Sequence, residues 1–475
     1  MKRTVLWMSF FIVLSVKLIT VNYLAGLTFC ENPEIKGGIW ANTSGDYFSY
    51  IGAMENYISQ GLYYFNNNNG DKVFAGRMPH YSIPYYLLRQ IFSISTSLDL
   101  FVLYQVIIES FAIICLALLI FDITKRNWTF YISLLLSLIS LYNTTWSFAM
   151  ITDGLSANYL FISVFFFWRF FTLKSRLSFY LFSIFLALAT CLRPYLILFY
   201  PVSGLFLFYH FRHSLRKLFP IAFALALPIT LLLSPWVIRN YFLFNRVILF
   251  QQDVYAGYGY GEDELAIRRL LSILGEDATT FWDKNTAASF FHKQNYKSSD
   301  YKYPSYLQRD TTLYRAIEDI RLSYINGFDS KNLTVQKANE IIGTYRSKHP
   351  FRFYLLNNIQ LVKSFIINSG SYYLPISKSF TCYQPVQWVI KLSQSLLYYI
   401  YLIPGFLGLI FGTKYNRNVR LLLFPTIFLI ALFPVFFKAI EWRFFLPFYY
   451  FHQVGLILLF CLWLSKWPNY KVKYA

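Results

Sequence analysis

Long apolar runs alternate with short polar breaks along this chain, and the runs share a characteristic length. They fall at 5–24, 100–121, 128–147, 155–172, 178–192, 195–210, 218–235, 387–411, 419–437 and 444–465. A helix rises about 1.5 Å per residue, so ~20 apolar residues cross a hydrocarbon core of ~30 Å. The ten runs therefore predict ten membrane-spanning helices. The first run follows Lys2 and Arg3, as a signal peptide would. It is longer than a signal core and no small-x-small cleavage site follows, so an uncleaved span is expected.

Two long polar segments interrupt the runs, 25–99 and about 236–386. Long structureless loops are uncommon, so both are expected to fold. Within the second, 262–274 and 306–326 have mixed helical patterning, and 354–367 is amphipathic. Such a helix can lie in the plane of the membrane interface. The expected fold is an all-α polytopic membrane protein in three parts. Residues 1–235 form an N-terminal transmembrane module with the outer loop 25–99, 236–386 an outer domain, and 387–475 the last transmembrane helices.

Composition narrows the class. Of 475 residues, 56% are hydrophobic and only 14% charged, which excludes a soluble enzyme and a secreted disulfide scaffold. The net charge of +20 raises the question of nucleic acid. The Lys and Arg residues sit mostly in short clusters between apolar runs, so topology explains them and no nucleic-acid partner is expected. With the N-terminus inside, the inner segments hold sixteen Lys and Arg against one acid, Asp122. The positive-inside rule then places both termini in the cytoplasm of a plasma (inner) membrane protein, and both long segments outside. Cys115, Cys191 and Cys461 lie in apolar runs and read as small hydrophobes. Cys30 and Cys382 fall outside, where a disulfide is permitted; two separate thiols are the simpler expectation.

Lys17 and Glu109 lie near mid-depth in neighbouring antiparallel spans. Unpaired charges there are costly, so they are expected to pair. Two residues make no proton-relay chain, and a pair that fixes helix register is the expected role.

Polar chemistry gathers at the outer span ends. Asp46 stands about twenty residues beyond the first span, in Gly45-Asp46-Tyr47-Phe48. A carboxylate there can deprotonate an acceptor hydroxyl. Gly76-Arg77-Met78-Pro79-His80-Tyr81 precedes the second span. Arg suits phosphate through its planar fork, and His80 can serve as base or ligand. Too few further ligands surround His80 to assign a metal site; no cofactor is assigned, and a divalent metal is left open. Asp153, Arg193, Arg239 with Asn240, and Glu441 with Arg443 mark four more outer span ends. Snorkelling explains isolated cases. The positive-inside rule nevertheless predicts few arginines there, so an anionic ligand at that depth, such as a lipid phosphate, fits.

The ordered set is Asp46-Tyr47, Arg77-x-Pro79, Asp153, Arg193-Pro194, Pro235-Trp236-x-x-Arg239-Asn240-Tyr241 and Glu441-x-Arg443. It resembles the GT-C integral-membrane glycosyltransferases, in the bacterial branch similar to dolichyl-phosphate-mannose protein mannosyltransferases and the lipid A aminoarabinose transferase. The likeness is spread over roughly 1–245 and 435–465. It implies a GT-C-like fold; family members typically have eleven to thirteen spans, which leaves room for one that hydropathy does not reveal. It implies sugar transfer from a polyprenyl-phosphate donor to a lipid, protein or glycan acceptor on the outer face. Asp46 takes the place of the catalytic base and Asp153 that of a second acid. Arg239 first, then Arg193, Arg443 and Arg77, would hold donor phosphate, with Tyr47, His80, Asn240 and Glu441 near the substrates. Tyr81, Tyr195 and Trp236 are candidates for stacking on sugar.

Other classes keep some of these features. A lipid-linked polysaccharide polymerase or O-antigen ligase would share the spans, large outer loop and arginines, without needing Asp46. A lipid or solute transporter would show repeats and broken helices near the midplane, and no repeat is visible.

Overall fold

In an apolar medium every peptide group has to bond within the protein, and helices achieve this segment by segment. The computed structural model follows that rule. It describes residues 2–67, 70–251, 261–274, 304, 306–307, 309–371, 374, 384–436 and 441–465.

The chain opens with α1 (Arg3–Glu31). The 25–99 loop then carries α2 (Ala53–Gln60), a hairpin of β1 (Phe65–Asn66) with β2 (Lys72–Val73), and α3 (Ile83–Arg89). Seven helices follow: α4 (Ile94–Thr124), α5 (Asn127–Ile139), α6 (Tyr142–Phe148), α7 (Asp153–Leu173), α8 (Arg176–Leu192), α9 (Phe199–Phe211) and α10 (Leu215–Phe244). The 236–386 segment holds α11 (Glu262–Ser272), α12 (Thr311–Asn326), α13 (Lys331–Lys348) and α14 (Asn357–Ile367). The last apolar helices are α15 (Gln384–Tyr415), α16 (Arg420–Val435) and α17 (Leu446–Ser465).

Among the described residues, eight stretches are long and apolar enough to cross a membrane: α1, α4, α7, Pro194–Phe211 containing α9, α10, α15, α16 and α17. Helices α5 and α8 are apolar but shorter. The chain is thus an all-α multi-pass membrane protein.

The run 128–147 does not form one helix, contrary to expectation. Helix α5 stops at Ile139 and α6 starts at Tyr142. No Gly or Pro marks the break, so hydropathy reads straight through it. The cause is tertiary. A helix end leaves carbonyls without partners, and here distant side chains supply them. Lys17 Nζ donates to Ser137 O at 2.8 Å and Ser140 O at 3.0 Å. Gln394 Nε2 donates to Ile139 O, and its Oε1 accepts from Leu141 N, both at 2.9 Å.

Lys17 and Glu109 pair as expected, 3.3 Å apart and both fully buried. Thr144 and Ser147 of α6 each donate a hydroxyl to Glu109, at 2.7 Å. The pair therefore holds α1, α4 and the start of α6 together. A cavity of about 10 Å³ lies beside it, lined in part by Asn143, Tyr449, Tyr450 and Gln453.

The 25–99 loop shares the main core. Tyr50, Ile51, Met54, Tyr63, Phe65, Met78, Tyr81 and Tyr85 are buried with residues of α4 and α7. Asp99 anchors its first part, accepting from the amides of Ile39, Trp40 and Ala41 at 2.8, 2.9 and 3.3 Å. A Cβ at Gly38 would overlap that carboxylate, so the contact needs glycine there. Asn42 then bonds the backbone beyond α6, with its N to Phe148 O and its O to Met150 N, each at 3.0 Å.

The 236–386 segment has its own core, formed by Ile267, Leu270, Leu271, Ile317, Ile320, Ile341 and Tyr345 among others. The helices expected at 262–274 and 306–326 appear as α11 and α12, and α13 joins them. Asp310 and Ser330 cap α12 and α13. The amphipathic stretch 354–367 becomes α14 after a wide turn at Arg352–Leu356. Asn357 of α14 bonds Tyr345 Oη and Ile273 O, while Phe365 packs on Phe433 and Phe445 of the bundle.

Cys30 is disulfide-bonded, against the simpler expectation of a free thiol. Cys115, Cys191 and Cys461 are free and buried, as expected. Cys382 lies outside the described residues.

Candidate functional site

Two clusters of opposite charge form the centre of the site. The inner one is Asp153–Arg193. Asp153 opens α7, where a carboxylate is favoured by the helix dipole. Gly154 lets that end sit directly on Trp146, because a Cβ would press into the Trp146 backbone. Arg193 follows the last residue of α8, and Pro194 prevents the helix from continuing. The Arg193 guanidinium donates to Asp153 Oδ2, and both residues are buried. Asp153 Oδ1 and Arg193 Nε are also buried, with no hydrogen-bond partner among the described residues.

The second centre is Asp46. Gly45 before it has φ of 66°, a left-handed turn that favours glycine. Asp46 Oδ2 accepts from Arg77 Nη2 at 3.4 Å and lies 3.6 Å from Arg443 Nη1. Arg443 Nε also meets Glu441 Oε2 at 2.6 Å. Three parts of the chain remote in sequence thus share one charge cluster.

Tyr50 joins the two centres. Its ring lies 5.0 Å from the Arg77 guanidinium. Its hydroxyl meets Thr152 Oγ1 at 3.3 Å, next to Asp153. Tyr50, Tyr195 and Arg443 are all close enough to Arg193 to act on its charge. Tyr195 closes the far side by packing edge-on against Phe433 and Phe444.

Arg239 and Asn240 stand at the edge. Arg239 donates to Tyr63 O and Asn240 Oδ1 at 2.8 Å and to Phe74 O at 2.9 Å. Its guanidinium also lies 5.0 Å from the Trp236 ring. Two of these bonds tie α10 to the 25–99 loop and the third holds its neighbour Asn240, which is fully buried in the same knot. Tyr63 faces both Arg239 and Arg77.

His80 bonds Leu232 O through Nε2 at 2.9 Å, while its Nδ1 is buried without a partner among the described residues. A carbonyl can only accept, so Nε2 carries the proton. Burial lowers the His80 pKa, opposed by that hydrogen bond, and the ring is neutral at pH 7. Tyr47 lies close to Glu55 and Tyr85. Tyr81 is buried against Tyr50 and Phe101.

The structure thus brings together Asp46, Arg77, Asp153, Arg193, Glu441 and Arg443. It places Arg239, Asn240, His80 and Tyr47 in supporting contacts around them. Sequence reading overlooked Tyr50 and Thr152 as links and Asp99 as the loop anchor. Tyr50 stands four residues beyond Asp46, so one helical turn was the available signal. Among the described residues, no three His, Cys, Asp or Glu side chains gather as metal ligands. The chain matches no known protein family, curated protein or solved structure.

Proposed function

We propose that this protein is a GT-C-like glycosyltransferase that moves a sugar from a polyprenyl-phosphate donor to an acceptor hydroxyl at the outer membrane face. The observation that carries the reading is the meeting of Asp46, Arg77, Arg443, Asp153 and Arg193 at one end of an apolar helix bundle. Glycosyl transfer needs a base for the attacking hydroxyl and positive charge on the leaving phosphate. Asp46 supplies the base, and Arg443 and Arg77 the charge. Asp153 and Arg193 form the buried floor, whose Oδ1 and Nε have no partner among the described residues and would bond a ligand's hydroxyls. Arg239 acts through the loop it holds and adds positive charge at the rim. A lipid tail lies among the helices, which accounts for so large an apolar body. One base opposite the leaving group predicts inversion at the anomeric carbon.

The disulfide at Cys30 supports placing the 25–99 loop in an oxidising compartment. At the opposite end of α4 and α7, Asp122 and Arg169 pair at 3.5 Å near Lys125 and Lys174. That basic end belongs in the cytoplasm, as do both termini.

The test is transfer of labelled sugar from synthetic polyprenyl-phosphate donors to cell-envelope acceptors. Wild type turns over, and Asp46→Asn loses about 10²-fold or more. Wild-type rates in Asp46→Asn remove the assigned base, and retained stereochemistry in the product removes the single-displacement mechanism.

A further inference from the structure

The two roles given to the Asp46 cluster conflict in the arrangement observed. A base must be available to a hydroxyl, and phosphate-binding arginines must be available to phosphate. Here Asp46 Oδ2 lies 3.4 Å from Arg77 Nη2 and 3.6 Å from Arg443 Nη1. Each occupies the other's working face.

We propose that Asp46 is an internal anion seated where the phosphate binds, and that phosphate binding releases it to act. This deepens the glycosyltransferase reading and rests on it for the catalytic consequence. A carboxylate between two guanidiniums is a weak base, because both positive charges stabilise its ionised form. The donor phosphate is a diester: it carries one negative charge over two non-bridging oxygens that match the guanidinium fork, and it gains further charge as the sugar leaves. It takes Arg77 and Arg443 from Asp46. Glu441, 2.6 Å from Arg443 Nε, keeps that guanidinium in place during the exchange. Arg77 is steadied by the Tyr50 ring, 5.0 Å away. Asp46 then turns to the acceptor hydroxyl with its basicity restored. No bond is made or broken in this step; only the partner of two cations changes. The consequence is ordered binding: the acceptor is deprotonated only when the donor phosphate is in place.

Phosphate chemistry can arrive on a lipid or free in water, and two probes separate these sources. Binding of inorganic phosphate, and of a polyprenyl phosphate in mixed micelles, is measured by titration calorimetry on the purified full-length protein at pH 7. If Asp46 competes for the seat, Asp46→Asn and Asp46→Ala bind both probes about tenfold or more tighter than wild type. Arg77→Gln and Arg443→Gln bind them correspondingly weaker. Preference for the polyprenyl phosphate over inorganic phosphate identifies the lipid as the source, and equal binding identifies a soluble phosphate. Unchanged or weakened binding in both Asp46 variants, with wild-type elution and melting, overturns the proposal. So does the absence of saturable binding in every form. These readouts involve no sugar. Tightening without any sugar transfer would therefore leave the anion exchange standing and remove the transferase reading alone.

Discussion

Lys17 illustrates how much one side chain decides inside a membrane. Its ammonium meets Glu109, Thr144 and two carbonyls at the end of α5, so it neutralises a buried acid and caps a helix at once. Removing one partner leaves the other charge uncompensated. Lys17→Met and Glu109→Gln should each cost about 3–5 kcal/mol. The double variant should cost less than the sum of the two. Thermal melts in detergent check this, and strict additivity would show that the two charges act independently. His80 gives a second test at this scale. Its folded pKa is lowered by burial, so the unfolded chain binds the proton more readily. The stability from neutral His80 is present above the ordinary histidine range and is lost as pH falls through it. Wild type should melt lower at pH 5.5 than at pH 7.5. His80→Gln should remove part of that difference, and an unchanged pH profile would contradict the assignment.

At the scale of elements, helix pairs are set by small residues and by breaks. Helices α15 and α17 pack closely, with Gly405 and Gly408 of one on His452, Gly455 and their carbonyls in the other. A Cβ at Gly408 would overlap the Gly455 carbonyl oxygen, and one at Gly455 the Gly405 carbonyl oxygen. Backbone on both sides cannot yield as a side-chain end can. Gly408→Ala and Gly455→Ala should therefore destabilise by about 3 kcal/mol or more, or prevent folding. Gly204→Ala in α9 meets nothing within 4 Å. It should be neutral or gain up to about 1 kcal/mol from helix propensity. Melting temperatures of the three variants in one detergent make the comparison, and equal losses would refute the packing argument. The Gly-x-x-Gly spacing on α15 is visible in the sequence, but its partner helix is not.

At the scale of the whole molecule, the 25–99 loop and the bundle form one body. Asp99 anchors the loop to α4, Asn42 bonds it beyond α6, and Arg239 ties it to α10. Those three attachments bring Asp46 and Arg77 of the loop to Arg443, just before α17. The disulfide at Cys30 adds a covalent restraint at the loop's first residues. In denaturant without reductant, a thiol reagent should label Cys115, Cys191 and Cys461 and leave Cys30 unmodified. Reduction should expose Cys30. Labelling of Cys30 before reduction, measured by peptide mass, would contradict the disulfide.

The sequence alone determined the class of this protein, because spanning a hydrocarbon layer imposes a run length that any apolar helix must show. It also foretold the Lys17–Glu109 pair, since two opposite charges at mid-depth have no cheaper arrangement. The break between α5 and α6 was invisible, because its caps come from Lys17 and Gln394, over a hundred residues away on either side. Asp46 was legible as an isolated acid in the first outer loop and Asp153 as one at a span end. Which arginine each would meet was not, since Arg77, Arg193 and Arg443 are equivalent in hydropathy and in position along a span. Only packing chose among them: Gly154 against Trp146, Tyr50 against Thr152 and the loop anchored on Asp99 set which charges come within reach. Run length is a local property and is written in the chain; the pairing of charges depends on distances between segments, and those exist only once the chain is folded.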